Sequence, residues 1–258
     1  MLKLENIHFK IREKSILDNI SLTFEPGKIH MILGPNGSGK TSLLKIASGQ
    51  IDAHQGKVFY AQGLLCQIDL KKLATYRGYL SQQNNIPFPL KVAELVTMGR
   101  YPHYDFQPAK KDLEIIEAVT DKLDINHLTQ RDYTTLSGGE QQRVQFARVL
   151  AQIWETKEDT IRYLFLDEPL NNLDIQYQKY LLETIKSLVT SNLVIIMIVH
   201  DVNWAFAYAD EVYFMKEGTL YASGNPLQII DEQLIANVFN IASKIIQLPN
   251  QSHPVVVY

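Results

Sequence analysis

Cysteine, long apolar runs and an excess of charge of one sign are all scarce in this chain of 258 residues. The single cysteine, Cys66, excludes an internal disulfide and suits a reducing cytosol, and we expect it to be a small apolar core residue. The longest apolar run, Leu193 to Val199, is far shorter than the roughly 20 residues needed to cross a bilayer. The formal net charge of −3 provides no general attraction to nucleic acid or to anionic lipid.

The beginning of the sequence, Met1 to Asn6, alternates apolar and polar residues as a strand does, and it lacks the apolar core of a signal peptide. We therefore expect a soluble protein that contacts a membrane only through a partner. The hydrophobic content of 46% is enough for one large domain, or for a core with a smaller appended lobe.

A glycine-rich stretch at residues 34–41 carries the first chemical signal. It follows the apolar run Ile29 to Leu33 and precedes residues 42–47, whose apolar spacing favours a helix. Strand, glycine loop and helix form the context in which the pattern G-x-x-x-x-G-K-[ST] indicates a phosphate-binding loop. A glycine-rich turn could meet the pattern by accident, but the flanking elements favour the functional interpretation.

The residue types in this loop suit a nucleoside triphosphate. Its glycines can adopt positive φ, so that consecutive backbone N–H groups point at one anion, and the following helix offers its N-terminus to phosphate. Lys40 is expected to contact the β- and γ-phosphates, and the Thr41 hydroxyl to bind Mg²⁺. The predicted nucleotide-binding residues here are Gly34, Pro35, Asn36, Gly37, Ser38, Gly39, Lys40, Thr41 and Ser42.

Strands and helices alternate along most of the chain, which indicates an α/β fold with a parallel sheet. The predicted strands cover residues 2–9, 16–24, 29–33, 56–61, a segment ending at 79–82, 162–166, 193–199 and 211–216. The predicted helices cover the segment between the phosphate loop and Gly49, then residues 175–189 and 204–208. From Pro226 onward the pattern predicts short helices and a tail.

Residues 84–153 have a different pattern. Pro87 and Pro89 predict a loop, after which the spacing is helical to about Ile153. One helix has Val92, Leu95, Val96 and Gly99 on one face, and a second begins near Pro108 with Leu113, Ile116, Glu117 and Thr120. We interpret residues 84–153 as a helical lobe inserted into a core formed by residues 1–83 and 154–258.

Two carboxylates, Asp167 and Glu168, end the apolar strand at residues 162–166. In phosphate-loop proteins a strand-end aspartate helps to hold Mg²⁺, and Asp167 is expected to do so here. Glu168 is placed to orient or deprotonate the attacking water. An acidic turn before Pro169 would produce the same pair, but the phosphate loop earlier in the chain favours the catalytic interpretation.

The segment Leu136 to Arg143 reads LSGGEQQR, and its serine and two glycines offer a hydroxyl and backbone N–H groups at a helix start. A simple helix cap is the alternative. The phosphate loop, LSGGEQQR and the later LDEP, in this order, resemble the ATP-binding cassette (ABC) ATPase family over the whole chain. The resemblance implies a P-loop NTPase (RecA-like) core with a parallel sheet, an antiparallel β subdomain and an inserted α-helical subdomain.

The resemblance also implies roles for isolated residues. Gln82 matches the glutamine loop, which senses Mg²⁺ and the γ-phosphate and links the core to the helical lobe. His200 matches the switch histidine, which contacts the γ-phosphate, and Asp174 matches a loop that crosses to the partner subunit. The implied catalytic residues are Glu168, His200 and Gln82, and the implied metal ligands are Thr41, Gln82 and Asp167.

In this family two copies face each other. ATP would then lie between the Lys40 loop of one chain and Ser137, Gly138 and Gly139 of the other. Many cassettes also carry an aromatic residue that stacks on adenine before the strand matching residues 16–22. The corresponding place here is Ile11 or Arg12, with Phe9 nearby, so an aliphatic contact or a guanidinium face would replace the aromatic ring.

Two further resemblances indicate which substrate is transported. Met98 to His103 resembles importers of iron siderophores, vitamin B12 and haem, and residues 131–154 with 162–167 resemble the haem-importer ATPases most closely. A ferric-siderophore or B12 importer is the alternative. Cassette ATPases acting on DNA or ribosomes usually carry a long insertion, basic arms or two cassettes, none of which this sequence shows. A purely structural nucleotide-binding module is also conceivable, but Glu168 and His200 favour turnover.

One cassette without a membrane span implies a separate permease. We expect a homodimer on the cytoplasmic face of the inner membrane, bound peripherally through that permease, with ATP and Mg²⁺ as cofactors. A haem-binding protein would take part only indirectly, because no residue of this chain is expected to bind haem. Nucleic acid is not an expected partner.

Overall fold

A computed structural model describes residues 1–82, 86–154, 160–171, 173–249, 251 and 253–258. Within these residues no helix has the length and apolar character that a membrane crossing requires. The beginning of the predicted helical lobe, at residues 84 and 85, lies outside the described residues.

The structure describes twelve strands; eight lie at predicted segments, and the four at residues 63–64, 219–224, 244–246 and 255–257 were not predicted. The strands are β1 (Leu2–Ile11), β2 (Lys14–Phe24), β3 (Lys28–Leu33), β4 (Gln55–Tyr60), β5 (Gly63–Leu64), β6 (Arg77–Leu80), β7 (Arg162–Leu166), β8 (Leu193–Ile198), β9 (Glu211–Lys216), β10 (Thr219–Gly224), β11 (Lys244–Ile246) and β12 (Val255–Val257).

The structure describes nine helices; the one at residues 70–74 was not predicted, and the others lie in segments predicted to be helical. The helices are α1 (Lys40–Ser48), α2 (Leu70–Ala74), α3 (Val92–Met98), α4 (Lys110–Lys122), α5 (Gly138–Ile153), α6 (Ile175–Ser187), α7 (Val202–Tyr208), α8 (Pro226–Ile229) and α9 (Glu232–Phe239). Gly49 ends α1 with a left-handed backbone, as its position in the sequence predicts.

The chain divides into two compact units, and each is described here by itself. The first unit contains residues 1–67 and 189–258, and the second unit contains residues 68–188. The second unit is therefore an insertion in the sequence of the first. The finer division into a core of residues 1–83 and 154–258 and a helical subdomain of residues 84–153 stays a prediction.

The first unit holds an antiparallel sheet in the order β2-β1-β4-β5 and a second set of strands in the order β10-β9-β3-β8. In the second set, β3 runs parallel to both β8 and β9, and β10 turns back antiparallel to β9. Every residue of β8 is buried, as are residues 29–33 of β3. Such continuous apolar burial is what central parallel strands require, since both of their faces are covered.

The second unit combines helices with the parallel pair β6 and β7, in which Arg77 is the partner of Tyr163 and Leu80 the partner of Leu166. Its long helix α5 packs against α3, α4 and β6. Gly99 follows α3, and a Cβ atom there would lie only 2.1 Å from the Arg148 carbonyl oxygen, so glycine permits the close approach of α3 to α5. The α/β class, with a parallel sheet, an antiparallel sheet and inserted helices, is thus confirmed.

The buried face of α4 differs from the predicted one. Thr120 is buried as predicted, but Leu113 is 54% exposed and Glu117 is exposed, whereas Ile115 and Val119 are buried in their place. The spacing of apolar residues predicts that a helix forms. It does not predict which of two neighbouring rows of apolar residues is buried, because that depends on the elements that pack against the helix.

Two further expectations were wrong or incomplete. Cys66 is exposed rather than a core residue, because it lies in a short 3-10 turn of which no residue is buried. The strand β10 was not predicted; it is formed after a tight turn at Glu217 and Gly218, both with positive φ. The segment after Pro226 forms the predicted short helices, and beyond them β11 and β12 pair as an antiparallel hairpin.

Candidate nucleotide-binding and hydrolysis site

The phosphate loop connects β3 to α1 in the first unit. Gly34, Gly37 and Gly39 all have positive φ, of 146°, 81° and 97°, and Gly39 directly precedes α1 without a side-chain cap. Gly39 therefore offers no side-chain acceptor to the first N–H groups of α1. A helix start of this kind is a favourable place for a phosphate group.

Two of these glycines are also required by close contacts. A Cβ atom on Gly34 would lie 2.1 Å from the Met215 carbonyl oxygen, and one on Gly39 would lie 2.7 Å from the Leu17 side chain. Gly37 has open space around it, so only its backbone angle favours glycine there. The loop is thus held tightly against β2 and β9.

Lys40 points back into the loop. Its side-chain ammonium donates to the carbonyl oxygens of Gly34 and Pro35, at 2.9 Å each, and the residue is only 5% exposed. A positive charge is thereby held in the concavity that the glycines form. Such an arrangement attracts an anion, because the charge is already desolvated and oriented.

Ser38 supplies a second polar group inside the loop. The residue is 2% exposed, and its hydroxyl has no hydrogen-bond partner among the described residues. Its carbonyl oxygen accepts from the Gly218 N–H at 3.2 Å, which fixes the loop to the turn between β9 and β10. A buried hydroxyl of this kind is satisfied when a ligand with oxygen atoms enters, so the loop fits a phosphate chain.

His200 lies at the same end of the parallel strands as the phosphate loop. Ile32 of β3 is the partner of Ile198 of β8, and the Val199 N–H donates to the Ile32 carbonyl at 3.2 Å. The phosphate loop follows β3 and His200 follows β8, so both emerge from the carboxyl edge of this pair. That edge is where parallel sheets generally bind ligands.

In the second unit, two predicted site residues follow β7. Asp167 is 2% exposed and accepts a hydrogen bond from the Tyr79 hydroxyl at 3.0 Å. Burial raises the pKa of the Tyr79 phenol, and the nearby Asp167 carboxylate raises it further. The tyrosine therefore stays a donor and orients the carboxylate. Sequence reasoning missed Tyr79, although its place in the neighbouring parallel strand was a usable signal.

Gln82 and Glu168 are brought together, although 86 positions separate them. The Gln82 side-chain amide donates to Oε2 of Glu168 at 2.5 Å, and the Asn171 amide donates to the same oxygen. Glu168 also has a positive φ of 51°, which is uncommon for a residue other than glycine. The backbone turn and the two amides together aim the carboxylate.

The LSGGEQQR segment begins α5. Ser137 is the N-cap: its hydroxyl accepts from the Glu140 N–H at 3.4 Å, and Oε2 of Glu140 accepts from the Ser137 N–H and hydroxyl at 2.8 Å each. These two bonds from Ser137 lower the pKa of Glu140. Ser137 and Gly138 are exposed, and no atom lies within 4 Å of a Cβ built on Gly138. The helix start is therefore accessible.

Asp174 lies at the start of α6, where its side chain accepts from the Tyr177 N–H at 2.9 Å. Two glutamines hold the preceding segment: Gln142 donates to the Pro169 carbonyl, and Gln178 donates to the carbonyls of Leu170 and Leu173, all at 3.1 Å. Sequence reasoning missed both glutamines, because nothing local indicates that they bind backbone carbonyls.

The remaining predicted residues occupy simpler positions. Thr41 and Ser42 are half-buried in the first turn of α1, and Asn36 is exposed at the tip of the loop. At the place predicted for the adenine contact, Ile11 is 54% exposed and Arg12 is exposed with a positive φ. In the part of the chain that the structure describes, no cluster of three or more histidine, cysteine or acidic side chains stands ready to hold a metal.

The phosphate loop with its enclosed lysine, the strand-end carboxylates and the capped LSGG helix define an ATPase of the cassette type. The ABC transporter family matches residues 17–171, and the chain belongs to this family. The predicted class of enzyme, an ATPase whose hydrolysis is coupled to transport, is thereby confirmed. The roles of single site residues stay predictions.

Curated relatives match the whole chain. The chain is 35% identical over 257 residues to the hemin import ATP-binding protein HmuV of Gloeobacter violaceus, covering 100% of the chain and 94% of that protein. It is 37% identical over 258 residues to the protein of the same name from Agrobacterium fabrum, covering 100% of the chain and 98% of that protein.

Solved structures agree on the fold. An inward-facing putative metal-chelate type ABC transporter matches with a TM-score of 0.82 at 25% identity, covering 100% of this chain and 97% of that chain. The cbiO1 protein of Clostridium perfringens, part of the cbiONQ transporter complex, matches with a TM-score of 0.75 at 26% identity, covering 93% and 94%. A dimeric bacterial ABC cassette matches with a TM-score of 0.76 at 22% identity, covering 88% and 99%, and shows the fold alone.

Proposed function

We propose that the chain is the ATP-hydrolysing subunit of an ABC importer and powers the uptake of haem through a separate permease. One observation carries the choice of haem: the full-length relatives at 35% and 37% identity are hemin import ATP-binding proteins. Import of a ferric siderophore or of vitamin B12 is the second candidate, because Met98 to His103 resembles that wider group of importers.

The phosphate loop binds the triphosphate of ATP. Residues 34–42 surround the phosphates with backbone N–H groups, and Lys40 donates to the β- and γ-phosphates. Lys40 already lies in the loop, where it is bonded to two carbonyl oxygens, so only a short movement is needed. Thr41, Gln82 and Asp167 are the residues that would hold Mg²⁺, and the ion would neutralise charge on the phosphates.

Glu168 orients and deprotonates the attacking water. Its Oε2 is bonded to the amides of Gln82 and Asn171, so rotation of the carboxylate is restricted. A restricted carboxylate is what a general base needs, since the rate of proton transfer depends on geometry first. His200 contacts the γ-phosphate from the end of β8.

Two copies of the chain complete each site. Ser137, Gly138 and Gly139 of one copy bind the ATP held by the Lys40 loop of the other, and Asp174 crosses to the partner copy. The exposed start of α5 supports this role, because its N–H groups are accessible to an incoming phosphate. Closure of the dimer moves the helical lobes, and segments near residues 82–103 transmit that movement to the permease.

The permease holds the homodimer at the cytoplasmic face of the inner membrane. The chain itself contributes no haem ligand in this proposal, so its histidines serve structure or hydrolysis. Haem reaches the permease from a separate binding protein, and nucleic acid plays no part.

Glu168→Gln tests the hydrolysis half of the proposal. The amide keeps an acceptor oxygen for Gln82 but cannot take a proton, so kcat for ATP should fall by about 10²- to 10⁴-fold while ATP binding persists. The variant should form a stable dimer with ATP and Mg²⁺, measured by size-exclusion chromatography with light scattering. Glu183→Gln, on an exposed face of α6, is the matched control and should behave as wild type. A Glu168→Gln chain that stays monomeric with ATP and Mg²⁺ would contradict the proposal.

Reconstitution tests the substrate. The chain with its permease in liposomes, together with the binding protein, should show ATPase stimulation by haem. Stimulation by a ferric siderophore or by vitamin B12, without any by haem, would replace the first candidate by the second.

A further inference from the structure

The hairpin formed by β11 and β12 lies against the helix that follows His200. Asn203, the second residue of α7, bonds both backbone groups of Val256: its side-chain amide donates to the Val256 carbonyl at 3.2 Å, and its side-chain oxygen accepts from the Val256 N–H at 2.8 Å. Val256 is 3% exposed. The Asn203 side chain thus makes the two hydrogen bonds to Val256 that the backbone of a neighbouring strand would otherwise make. These bonds fix Asn203 and Val256 relative to each other.

The beginning of α7 is also held by a side-chain cap. The Asp201 side chain accepts from the Asn203 N–H at 2.8 Å and so caps α7. Only Asp201 and Val202 separate Asn203 from His200. Because only three peptide bonds join Asn203 to His200, the fixed position of Asn203 restricts the backbone that carries the His200 imidazole.

Tyr258 also lies close to the beginning of α7. Burial raises the pKa of the Tyr258 phenol, the Asp201 carboxylate raises it further, and a hydrogen bond from the Val202 backbone lowers it. The phenol is therefore close to the two residues that link His200 to Asn203. The end of β12 therefore approaches the beginning of α7 through a second residue, which is itself 58% exposed.

The hairpin is in turn bonded to α9, and α9 packs against β9. The Ile245 N–H donates to a Glu232 side-chain oxygen at 3.1 Å, and the Phe239 ring lies 6.2 Å from that of Phe214 in an edge-to-face contact. Phe214 of β9 is the partner of Leu33, the last residue before the phosphate loop. A series of contacts within the first unit therefore connects the strand before the phosphate loop to β9, α9, the hairpin and finally α7, the helix that follows His200.

We propose that Asn203 and the backbone of Val256 form a clamp that positions the His200 imidazole for ATP hydrolysis. Asn203 is a positioning residue: it acts through His200 and does not itself contact the nucleotide. This proposal rests on the proposed catalytic role of His200.

A double-mutant cycle separates a clamp from a merely structural contact. Wild type, Asn203→Ala, His200→Ala and the double variant are compared by single-turnover ATP hydrolysis, with KM for ATP measured by steady-state kinetics where turnover allows. Asn203→Ala should lower kcat by about 10- to 100-fold, because small displacements of a reacting group cost rates of this order. KM should stay within about twofold, and in the His200→Ala background the second substitution should change the rate by less than about twofold.

Two variants serve as references. Asn237→Ala makes the same chemical change on α9, where the side-chain oxygen accepts from Gln233, and it should retain wild-type kcat. Asn203→Asp keeps the oxygen that accepts from Val256 but loses the donor, so its kcat should lie between those of wild type and Asn203→Ala. Thermal unfolding monitors the fold of each variant. If Asn203→Ala does not fold, the kcat of Asn203→Asp tests the clamp instead, and a wild-type kcat in that variant contradicts it.

Each remaining outcome has a distinct meaning. Equal rate losses from Asn203→Ala with and without His200 show that Asn203 acts independently, and an unchanged kcat shows that the hairpin does not position His200. Both outcomes overturn the clamp and leave the proposed ATPase function intact. Wild-type hydrolysis by His200→Ala instead refutes the catalytic role of His200, and the clamp with it.

Discussion

Replacing Lys40 by alanine should weaken nucleotide binding by an amount that the structure allows us to estimate. The ammonium group lies inside the phosphate loop, 2.9 Å from the carbonyl oxygens of Gly34 and Pro35, and the residue is 5% exposed. Binding of a triphosphate exchanges these carbonyl contacts, at least in part, for contact with phosphate oxygens. The change in affinity therefore equals the free energy of the Lys40 ammonium with phosphate oxygens minus its free energy with the two carbonyl oxygens.

The two interactions differ by a few kilocalories per mole. A pair of unit charges about 4 Å apart gains roughly 4 kcal/mol at an effective dielectric constant of about 20. Giving up a hydrogen bond from a charged donor costs about 1.5–3 kcal/mol, which offsets part of this gain. The net loss on removing Lys40 is then about 1–2.5 kcal/mol, and Kd should rise roughly 5- to 70-fold.

Isothermal titration calorimetry with a non-hydrolysable ATP analogue and Mg²⁺ measures this change. Lys45→Ala is the matched control, because it removes the same charge from a half-buried position in the same helix. Its Kd should stay within about threefold of wild type, since it loses only a screened, long-range attraction. If Lys40→Ala also stays within about threefold, or if both variants weaken binding equally, direct contact of Lys40 with the phosphates is refuted.

Three further predictions follow from buried contacts. Gly34→Ala would place a Cβ atom 2.1 Å from the Met215 carbonyl at a φ of 146°, so the same calorimetry should detect no nucleotide binding; wild-type affinity would contradict this reasoning. Arg100→Ala removes the partner of the Asp112 carboxylate, with the two side chains 4% and 7% exposed, and should lower the free energy of unfolding by about 3–5 kcal/mol in urea denaturation. A loss below about 1 kcal/mol would show that the pair is not buried in solution. Burial lowers the pKa of His30, so the unfolded state takes up the proton first as the pH falls below about 6.5. The free energy of unfolding of wild type should therefore decrease from there toward pH 5, and less so in His30→Gln, while equal slopes would exclude His30 as the cause.

Local elements were predictable because their causes lie in consecutive residues. The run Ile29 to Leu33 is apolar except for His30 and forms a buried strand, and the glycines that follow adopt the positive φ values that their residue type permits. Gly49 ends α1 as expected, and Ser137 caps α5. In each case the decisive contact joins residues only a few positions apart.

The errors share a different cause. Cys66 was expected in the core from its residue type, yet a single small side chain is buried or exposed according to the segment above it. On α4, Leu113 and Ile115 are both apolar, and only packing within the second unit buries the latter. The strands β11 and β12 are short segments of three residues, and nothing in either of them specifies the other as its partner.

The amino-acid sequence by itself determined the class of this protein. The order of the phosphate loop, LSGGEQQR and LDEP identifies an ABC ATPase, since each motif depends on backbone conformations that neighbouring residues dictate. Only the tertiary structure brought Gln82 to the carboxylate of Glu168 and Asn203 to the backbone of Val256, across 86 and 53 positions. Such contacts depend on which strands become neighbours and in what register, and no local pattern encodes that choice. The phosphate loop was therefore predictable from the sequence, and the supports that aim Glu168 and hold the His200 turn were not.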